Sequence, residues 1–315
     1  MEFEQFLMSL GLMPREISPG KWVRCPTETH PRSSNGSYKL AEDYQVGWAM
    51  DFAAHSEPIM WRAENTDLPV IDRSAIAKRQ AQAERERQQA TKLATEYYHS
   101  CDPVKGCHDY LERKGLDMNG CVGLKHDRNT GALVVPMLIG RRLSSVQMIN
   151  LDGSKRFWPG AKTKSATFTI ERAGAPITIL CEGLATGLSL YSSIPTARVV
   201  VAFSAGNLLP ATEFIVKGMA AVAADNDYDT QARIGTNPGV KAAQVAAEAL
   251  GCGVAIPQCQ GTDWNDFAAE RTEALKQAEI TKRRQKTFAD IDREVQAEIR
   301  ALVMRHAKLR IMARV

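Results

Sequence analysis

The chain has 315 residues, of which 44% are hydrophobic and 24% are charged, and its formal net charge is +4. This length allows about two or three structural units with at least one sizeable core. No apolar run approaches the roughly 20 residues that span a bilayer, and the first residues lack the pattern of a signal peptide. Seven cysteines without framework spacing are typical of a reducing compartment. We therefore expect a cytoplasmic protein without a membrane partner.

Composition changes twice along the first 172 residues. Residues 1–71 are rich in Gly, Pro and aromatic residues, which predicts a small β-containing N-terminal module. Residues 72–100 consist mainly of Ala, Gln, Glu, Arg and Lys, which predicts a helical linker or a helix that crosses the next domain. Residues 101–172 mix short extended runs with turns and predict a mixed α+β subdomain.

Residues 173–268 alternate between strand and helix patterns. Extended runs are predicted at Ile177–Cys181, Arg198–Phe203, Met219–Ala224 and Gly253–Ile256, with helical segments between them. This alternation predicts an α/β, Rossmann-like domain with a mainly parallel sheet.

Residues 269–315 predict a basic helical tail, because twelve Lys and Arg stand against six Asp and Glu from Arg271 onward. Its apolar residues recur at helical spacing at Ile291, Val295, Ile299, Leu302 and Val303. Such a stripe either packs on the protein's own core or docks a partner, and the sequence leaves both interpretations open.

Acidic residues follow three of the predicted parallel strands. Glu182 follows the first strand, Asp225 and Asp227 follow the third, and Asp263 and Asp266 follow the fourth. The carboxyl ends of parallel strands form the ligand-binding edge of a sheet. Carboxylates gathered there repel one another unless a cation neutralises them, and such ligands suit Mg²⁺ or Mn²⁺. For the Asp-x-Asp pair alone, helix capping or solvation explains the acids equally well.

A basic field precedes this region. Between residues 141 and 172, seven basic residues stand against two acids. They are Arg141, Arg142, Lys155, Arg156, Lys162, Lys164 and Arg172. A local field of this kind attracts phosphates, although an ordinary solvated surface gives the same pattern.

Four motifs together resemble the Toprim domain of phage- and plasmid-type DNA primases. They are Leu180-Cys-Glu-Gly-Leu-Ala-Thr-Gly-Leu-Ser189, Phe203-Ser-Ala-Gly-Asn207, Asp225-Asn-Asp227 and Asp263-Trp-Asn-Asp266. Residues 108–160 are similar to the subdomain that precedes Toprim in the polymerase core of bacterial-type primases. The similarity covers residues 100–267 well, extends more loosely to 20–62, and does not include the tail.

The resemblance implies a nucleotidyltransferase that synthesises short RNA primers on single-stranded DNA from NTPs, with Mg²⁺ or Mn²⁺ as cofactor. It implies that Asp225 and Asp227 hold metal, that Glu182 completes the site or acts as acid or base, and that Asp263 and Asp266 are outer ligands. It also implies that seven basic residues bind the template or the triphosphate: Arg141, Arg142, Lys155, Arg156, Lys162, Lys164 and Lys241. The implied setting is phage or plasmid replication in a bacterial cytoplasm.

The sequence departs from many primases in its N-terminal module. Only Cys25 and His30 lie close together there, and no C-x₂-C pair occurs, so we do not expect zinc. For Trp22, Trp48 and Trp61, core packing is favoured over stacking on bases. No P-loop occurs, so a helicase motor has to come from another chain.

Two other functions remain open at this stage. A Toprim nuclease shares the Glu and Asp-x-Asp residues but cuts nucleic acid, and the basic block before the domain favours polymerisation over cutting. A non-catalytic replication factor that binds single strands belongs to a different class, and the intact acidic set disfavours it.

Overall fold

The computed structural model describes residues 1–55, 57–63, 73–116, 121–215, 219–258, 263–281 and 288–308. The chain divides into two compact units. The first comprises Met1–Glu84 with Thr230–Thr236, and the second comprises Arg85–Asp229 with Asn237–Val315.

The first unit is built on a four-stranded antiparallel sheet in the order β1-β2-β3-β4. Its elements are α1 (Phe3–Ser9), β1 (Trp22–Cys25), β2 (Gly36–Leu40), β3 (Val46–Asp51) and β4 (Ile59–Arg62). Phe3, Tyr38 and Trp61 meet in its core, where the Trp61 indole donates a hydrogen bond to the Met1 carbonyl at 2.9 Å. A Cβ at Gly47 would lie 2.2 Å from the Phe3 ring, so only glycine leaves room for this packing.

The tryptophans of this unit occupy both faces of its sheet. Trp61 is buried, as core packing requires, but the same interpretation is wrong for Trp22, which is 49% exposed. Trp22 lies on the edge strand β1, where its side chain points to the outer face. Trp48 of β3 lies on that outer face too and is half-buried.

A long helix, α2 (Arg73–Ser100), follows in sequence. Its residues from Arg85 onward belong to the second unit, where Thr91 donates a hydrogen bond to the Ser144 carbonyl at 3.1 Å. Tyr97 packs against Trp158 with ring centroids 4.9 Å apart. This part of the helix therefore packs on the domain that follows it.

The second unit opens with an antiparallel sheet in the order β5-β6-β7-β8-β9. Its strands are β5 (Asp102–Pro103), β6 (Lys125–His126), β7 (Leu133–Ile139), β8 (Arg142–Ile149) and β9 (Lys155–Phe157), with helix α3 (Asp109–Arg113) after β5. This arrangement is the mixed α+β subdomain that the sequence predicts.

A mainly parallel sheet follows, in the order β10-β12-β11-β13-β14. Its strands are β10 (Phe168–Ile170), β11 (Ile177–Cys181), β12 (Ala197–Val201), β13 (Ala220–Ala223) and β14 (Gly253–Ala255). Only β10 runs antiparallel to its neighbour. The residues of β11 and β13 are all buried, as expected for parallel strands covered on both faces.

Helices connect and cover these strands. They are α4 (Leu184–Ser193), α5 (Ala205–Ala211) with a 3₁₀ turn (Thr212–Phe214), α7 (Pro238–Leu250), α8 (Trp264–Thr281) and α9 (Phe288–Lys308). Helix α6 (Tyr228–Ile234) follows β13 in sequence, and its residues from Thr230 onward belong to the first unit. The predicted fold class is confirmed, including the helical C-terminal region. Among the residues that the structure describes, no helix is both long and apolar enough to span a bilayer.

The apolar stripe of the tail lies on helix α9 and packs inside the protein. Val295, Ile299 and Val303 are buried in the same core as the strands of the parallel sheet, and Ile291 is buried as well. The Arg300 guanidinium also donates a hydrogen bond to the carbonyl of Ser193, the last residue of α4, at 3.2 Å. The stripe is therefore intramolecular, and these four residues are not free to dock a helicase.

Candidate active site at the carboxyl edge of the parallel sheet

Glu182 follows β11 directly, and Gly183 is the N-cap of α4. Beyond the ends of β11 and β12, Phe203 N–H donates to the Glu182 carbonyl at 2.8 Å, so the two connecting segments stay paired. The Glu182 carboxylate accepts a hydrogen bond from Ala205 N–H, at the start of α5. Burial and the negative charge of Asp227 raise its pKa, while Ala205 N–H and the nearby Lys155 ammonium oppose the rise.

Asp225 lies on the same edge, two residues beyond β13. Its Oδ1 accepts a hydrogen bond from the Thr186 hydroxyl of α4 at 3.2 Å. Burial and the charges of Glu182, Asp263 and Asp227 together raise the pKa of Asp225 to about 7, with burial as the largest cause. These four carboxyl groups therefore share one electrostatic environment, as expected when strand ends converge.

Asp227 and its neighbour Asn226 have different surroundings. The Asp227 carboxylate accepts a hydrogen bond from Gly239 N–H in the first turn of α7, while partial burial raises its pKa. Asn226 donates to the Pro257 carbonyl at 3.2 Å and accepts from Asn237, the N-cap of α7, at 3.0 Å. Asn226 thus links the segment after β14 to the segment before α7. Asp227, in contrast, lies close enough to Glu182 to raise the pKa of that carboxyl group.

Asp263 and Asp266 both have partners within the protein. Asp263 Oδ1 accepts hydrogen bonds from the backbone N–H groups of Asn265 and Asp266, each at 2.8 Å, and so caps α8. Asp266 Oδ1 lies 3.0 Å from the Lys114 ammonium. Capping therefore accounts for one carboxylate oxygen of Asp263, and its charge still reaches Asp225. The assignment of both residues as metal ligands stays a prediction.

The donor set fits a hard divalent cation. Glu182, Asp225 and Asp227 are carboxylates whose pKa values are raised by burial, and mutual repulsion adds to the rise for Glu182 and Asp225. A bound cation would relieve that repulsion. Within the described ranges, no three acidic, His or Cys side chains already stand in a metal-ligating arrangement. The carboxylates of Glu182 and Asp227 each also accept a backbone N–H at a helix N-terminus, from Ala205 and Gly239 respectively.

An open cleft of about 730 Å³ lies beside Asp263 and Asp266. Its wall includes Arg113 and Lys114 from the end of α3, Lys155 from β9, and both Asp263 and Asp266. Arg113, Lys114 and Thr186 are functional candidates that residue-level prediction missed. Arg113 and Lys114 lie within residues 108–160, and Thr186 lies within the Leu180–Ser189 motif. The family resemblance of these segments is the sequence signal that points to all three residues.

The predicted basic residues are distributed over several places. Lys155 and Arg156 are exposed on β9, and Lys162 is exposed on the following loop. Lys164 lines a small cavity of about 180 Å³ together with Phe203 and Ser204, which follow β12. Lys155 therefore lies near Glu182, and Lys164 lies near the segment that pairs with Glu182 beyond β12.

Three other basic residues are placed differently. Arg141 and Arg142 line another cavity, of about 700 Å³, with Tyr98 and Phe168, and none of the five predicted metal ligands borders it. Arg172 donates to the carbonyls of Tyr191 and Ala197, which is a structural role. Lys241 is exposed near the start of α7, the helix whose N-terminus holds Asp227.

Asn207 fixes the loop that carries Lys164. Its Oδ1 accepts from Ser165 N–H at 2.7 Å, and its Nδ2 donates to the carbonyls of Ala166 and Ala202, each at 2.8 Å. Ser165 and Phe203, which adjoin these groups, both have positive φ angles of 64° and 71°. The buried amide thus holds two strained segments together and explains the Ser-Ala-Gly-Asn motif.

Residues 177–274 match the family model of the Toprim domain, so the acids just described lie in a Toprim domain. Two curated relatives from Escherichia coli are both named DNA primase TraC. One is 26% identical over 274 residues, covering 79% of this chain and 25% of the relative, and the other is 25% identical over 280 residues, covering 79% and 19%. The chain thus spans about a quarter and a fifth of their lengths.

Among solved structures, the primase fragment of the bacteriophage T7 primase-helicase protein aligns at 16% identity with a TM-score of 0.39, over 56% of this chain and 78% of that one. The family match and the curated relatives confirm the predicted resemblance to Toprim-domain primases of the phage and plasmid type.

Proposed function

We propose that this chain contains the catalytic core of a DNA primase, which synthesises short RNA primers on single-stranded DNA. The observation that carries the proposal is the convergence of Glu182, Asp225 and Asp227 on one sheet edge, where Lys155 lies close enough to lower the pKa of Glu182. Similarity to the relatives named DNA primase TraC supports the same reaction class. The substrates are then NTPs and a single-stranded template, and the reaction is nucleotidyl transfer in a bacterial cytoplasm.

Asp225 and Asp227 are the residues proposed to hold Mg²⁺ or Mn²⁺, with Glu182 completing the site and Asp263 and Asp266 as outer ligands. Such a cation would neutralise triphosphate charge and orient the attacking hydroxyl. The Thr186 hydroxyl keeps one Asp225 oxygen oriented, and Gly239 N–H does the same for Asp227. These contacts leave the remaining carboxylate oxygens as ligands.

Glu182 is also suited to accept a proton. The pKa of Glu182 is raised, and a general base is most effective when its pKa lies nearer to the working pH. Glu182 is therefore the residue proposed to accept the proton of the primer 3′-hydroxyl. The Lys155 ammonium lies close enough to Glu182 to act on its pKa, so phosphates held by Lys155 would lie near the same carboxylate. Arg156, Lys162, Lys164 and Lys241 would contact the template or triphosphate, and Arg141 and Arg142 would contact nucleic acid away from the acids.

The deciding experiment incubates the protein with single-stranded DNA, labelled NTPs and Mg²⁺ and then sizes the products. Short oligonucleotides built from the added NTPs support a primase, whereas a shortened template identifies a Toprim nuclease. The Asp225→Asn and Asp227→Asn double variant should lose about 10²-fold or more in rate, since each change removes a charge that the cation needs. Synthesis at the wild-type rate by the double variant would contradict the site assignment.

A second experiment addresses the basic residues. Replacing Lys155, Arg156, Lys162 and Lys164 by Ala should weaken single-strand binding and flatten its salt dependence, since each lost phosphate contact removes about 0.7 from the log–log slope. An unchanged slope would contradict their role. Binding without any synthesis by the wild-type protein would favour a non-catalytic single-strand-binding factor. A replicative helicase that acts in trans is the partner proposed for unwinding.

A further inference from the structure

One side chain in the wall of the 730 Å³ cleft carries a buried polar group that bonds to nothing. Tyr110, the second residue of α3, is only 3% exposed and packs in the core that Trp264 and Phe267 share. Among the residues that the structure describes, its hydroxyl has no hydrogen-bond partner. Such burial costs stability, because the hydroxyl gives up its bonds to water without replacing them. A phenylalanine would fill the same space without that cost.

The Tyr110 hydroxyl is a hydrogen-bond donor near two carboxylates. Burial and the charges of Asp263 and Asp266 together raise the pKa of Tyr110 to about 12, with burial as the largest cause, while Arg113 opposes the rise. The phenol therefore stays protonated at neutral pH and can donate. Both carboxylates have other partners, since Asp263 Oδ1 accepts two backbone N–H groups of α8 and Asp266 Oδ1 faces Lys114. A donor thus lies near two acceptors and bonds neither.

The charges of the cleft wall favour a ligand with hydroxyl groups at this place. The wall holds four acids against three bases: Glu112, Asp152, Asp263 and Asp266 against Arg113, Lys114 and Lys155. Such nearly balanced charge does not by itself attract a phosphate or a cation strongly. An alcohol accepts a hydrogen bond from a phenol and donates one to a carboxylate, so it satisfies both kinds of group at once. A cleft of about 730 Å³ also has room for a nucleotide.

We propose that the Tyr110 hydroxyl donates a hydrogen bond to the 2′-hydroxyl of the incoming nucleotide and so selects ribonucleotides over deoxyribonucleotides. Lys155 lines this cleft and also lies close enough to Glu182 to lower its pKa, so a nucleotide with its phosphates at the acidic sheet edge can place its sugar here. A deoxyribonucleotide lacks the accepting oxygen and leaves the buried phenol without a partner. The inference rests on the proposed primase function and names the part of the substrate that the site recognises.

Nucleotide binding is measured first, with the full chain, Mg²⁺ and no template, so that the test does not depend on synthesis. Isothermal titration calorimetry gives the affinities for ATP, dATP and 3′-deoxy-ATP. Wild type should bind ATP and 3′-deoxy-ATP about equally, and dATP about tenfold more weakly, as expected for one lost hydrogen bond. Tyr110→Phe should bind all three nucleotides with the weaker affinity that wild type has for dATP.

Equal affinity of wild type for ATP and dATP would overturn the proposal, and so would an unchanged preference in Tyr110→Phe. A loss with 3′-deoxy-ATP as large as that with dATP would contradict the assignment to the 2′-hydroxyl. Tyr98→Phe is the matched control, because the Tyr98 hydroxyl donates to the Gly123 carbonyl at 2.8 Å and does not line this cleft. Tyr98→Phe should keep the wild-type preference.

Urea denaturation separates recognition of the sugar from a structural role. Tyr110→Phe should be at least as stable as wild type, because the Tyr110 hydroxyl has no bond within the described residues to lose. Tyr98→Phe loses a hydrogen bond and should be slightly less stable than wild type. A Tyr110→Phe variant less stable than Tyr98→Phe would mean that the Tyr110 hydroxyl supports the fold, which would contradict the proposal.

Primer synthesis is measured separately, on a single-stranded template with competing NTPs and dNTPs. Tyr110→Phe should incorporate deoxyribonucleotides about tenfold more often, relative to ribonucleotides, than wild type does. A protein that prefers ATP through Tyr110 but makes no primers would contradict the proposed reaction and leave the role of Tyr110 intact. Primer synthesis with the same nucleotide preference in wild type and Tyr110→Phe would support the reaction and overturn the role of Tyr110.

Discussion

The ammonium of Lys114 lies 3.0 Å from Oδ1 of Asp266, although 152 residues separate the two along the chain. The Asn265 side chain donates to the Lys114 carbonyl at 2.9 Å, so the end of α3 is tied twice to the start of α8. Since α3 belongs to the subdomain before the Toprim domain, these contacts join the two parts of the second unit at the wall of the cleft that Asp263 and Lys155 also line.

The first prediction concerns this pair. Lys114→Met and Asp266→Asn should each destabilise the protein by less than about 1 kcal/mol, because both side chains are partly exposed and solvent screens them. The double variant should cost less than the sum of the two, as expected for residues in contact. Urea denaturation of the four proteins measures the coupling, and fully additive values would mean that the pair contributes nothing.

Gly239 is the subject of the second prediction. A Cβ at this position would lie 2.9 Å from the Asp225 carbonyl oxygen and 3.0 Å from Asp227 Oδ2. Gly239→Ala should therefore displace the Asp-x-Asp segment and lower primer synthesis by about tenfold or more, given the sensitivity of catalysis to small misplacements. Gly206→Ala is the matched control, since a Cβ there meets no atom within 4 Å. If both variants retain full activity, the close approach of α7 to the acids is not needed for catalysis.

The third prediction tests the anchoring role of Asn207. Asn207→Ala leaves Ser165 N–H and the carbonyls of Ala166 and Ala202 without their side-chain partner, and each unsatisfied buried group costs roughly 1–3 kcal/mol. We expect a loss of about 2 kcal/mol or more in the free energy of unfolding, together with weaker single-strand binding through Lys164. Asn129→Ala, on an exposed turn, should change neither quantity. Normal stability of the Asn207 variant would show that the strained segments hold without the amide.

The sequence was sufficient to place the acids, because strand alternation and strand length fix which residues emerge at the carboxyl edge of a parallel sheet. It could not reveal the Lys114–Asp266 pair or the Asn207 contacts, since both depend on residues that are 152 and about 40 positions apart in the chain. The exposed position of Trp22 was also hidden, because alternation within a strand does not say which face the core covers.

The fourth prediction concerns Ile299, which is 1% exposed in the core beneath α9. Ile299→Ala should lower the free energy of unfolding by about 2–5 kcal/mol, as for other buried aliphatic truncations. Asp292→Ala, on the exposed side of the same helix, should stay within about 0.5 kcal/mol. Urea denaturation distinguishes the two, and equal small losses would mean that α9 does not belong to the cooperative core.

The last prediction uses the raised pKa of Asp225, about 7 in the folded protein against 3.8 when unperturbed. A carboxyl whose pKa is raised on folding favours the folded state below pH 4, and this contribution is lost as the pH rises through 7.

In EDTA, therefore, wild type should lose stability between about pH 5 and pH 8 relative to Asp225→Asn, which cannot ionise there. The difference should be on the order of 1 kcal/mol, because solvent screens a half-buried group. Thermal unfolding of both proteins at pH 5 and pH 8 measures it, with Asp152→Asn on an exposed turn as the control. A constant difference between wild type and Asp225→Asn across this range would contradict the burial and charge repulsion assigned to Asp225.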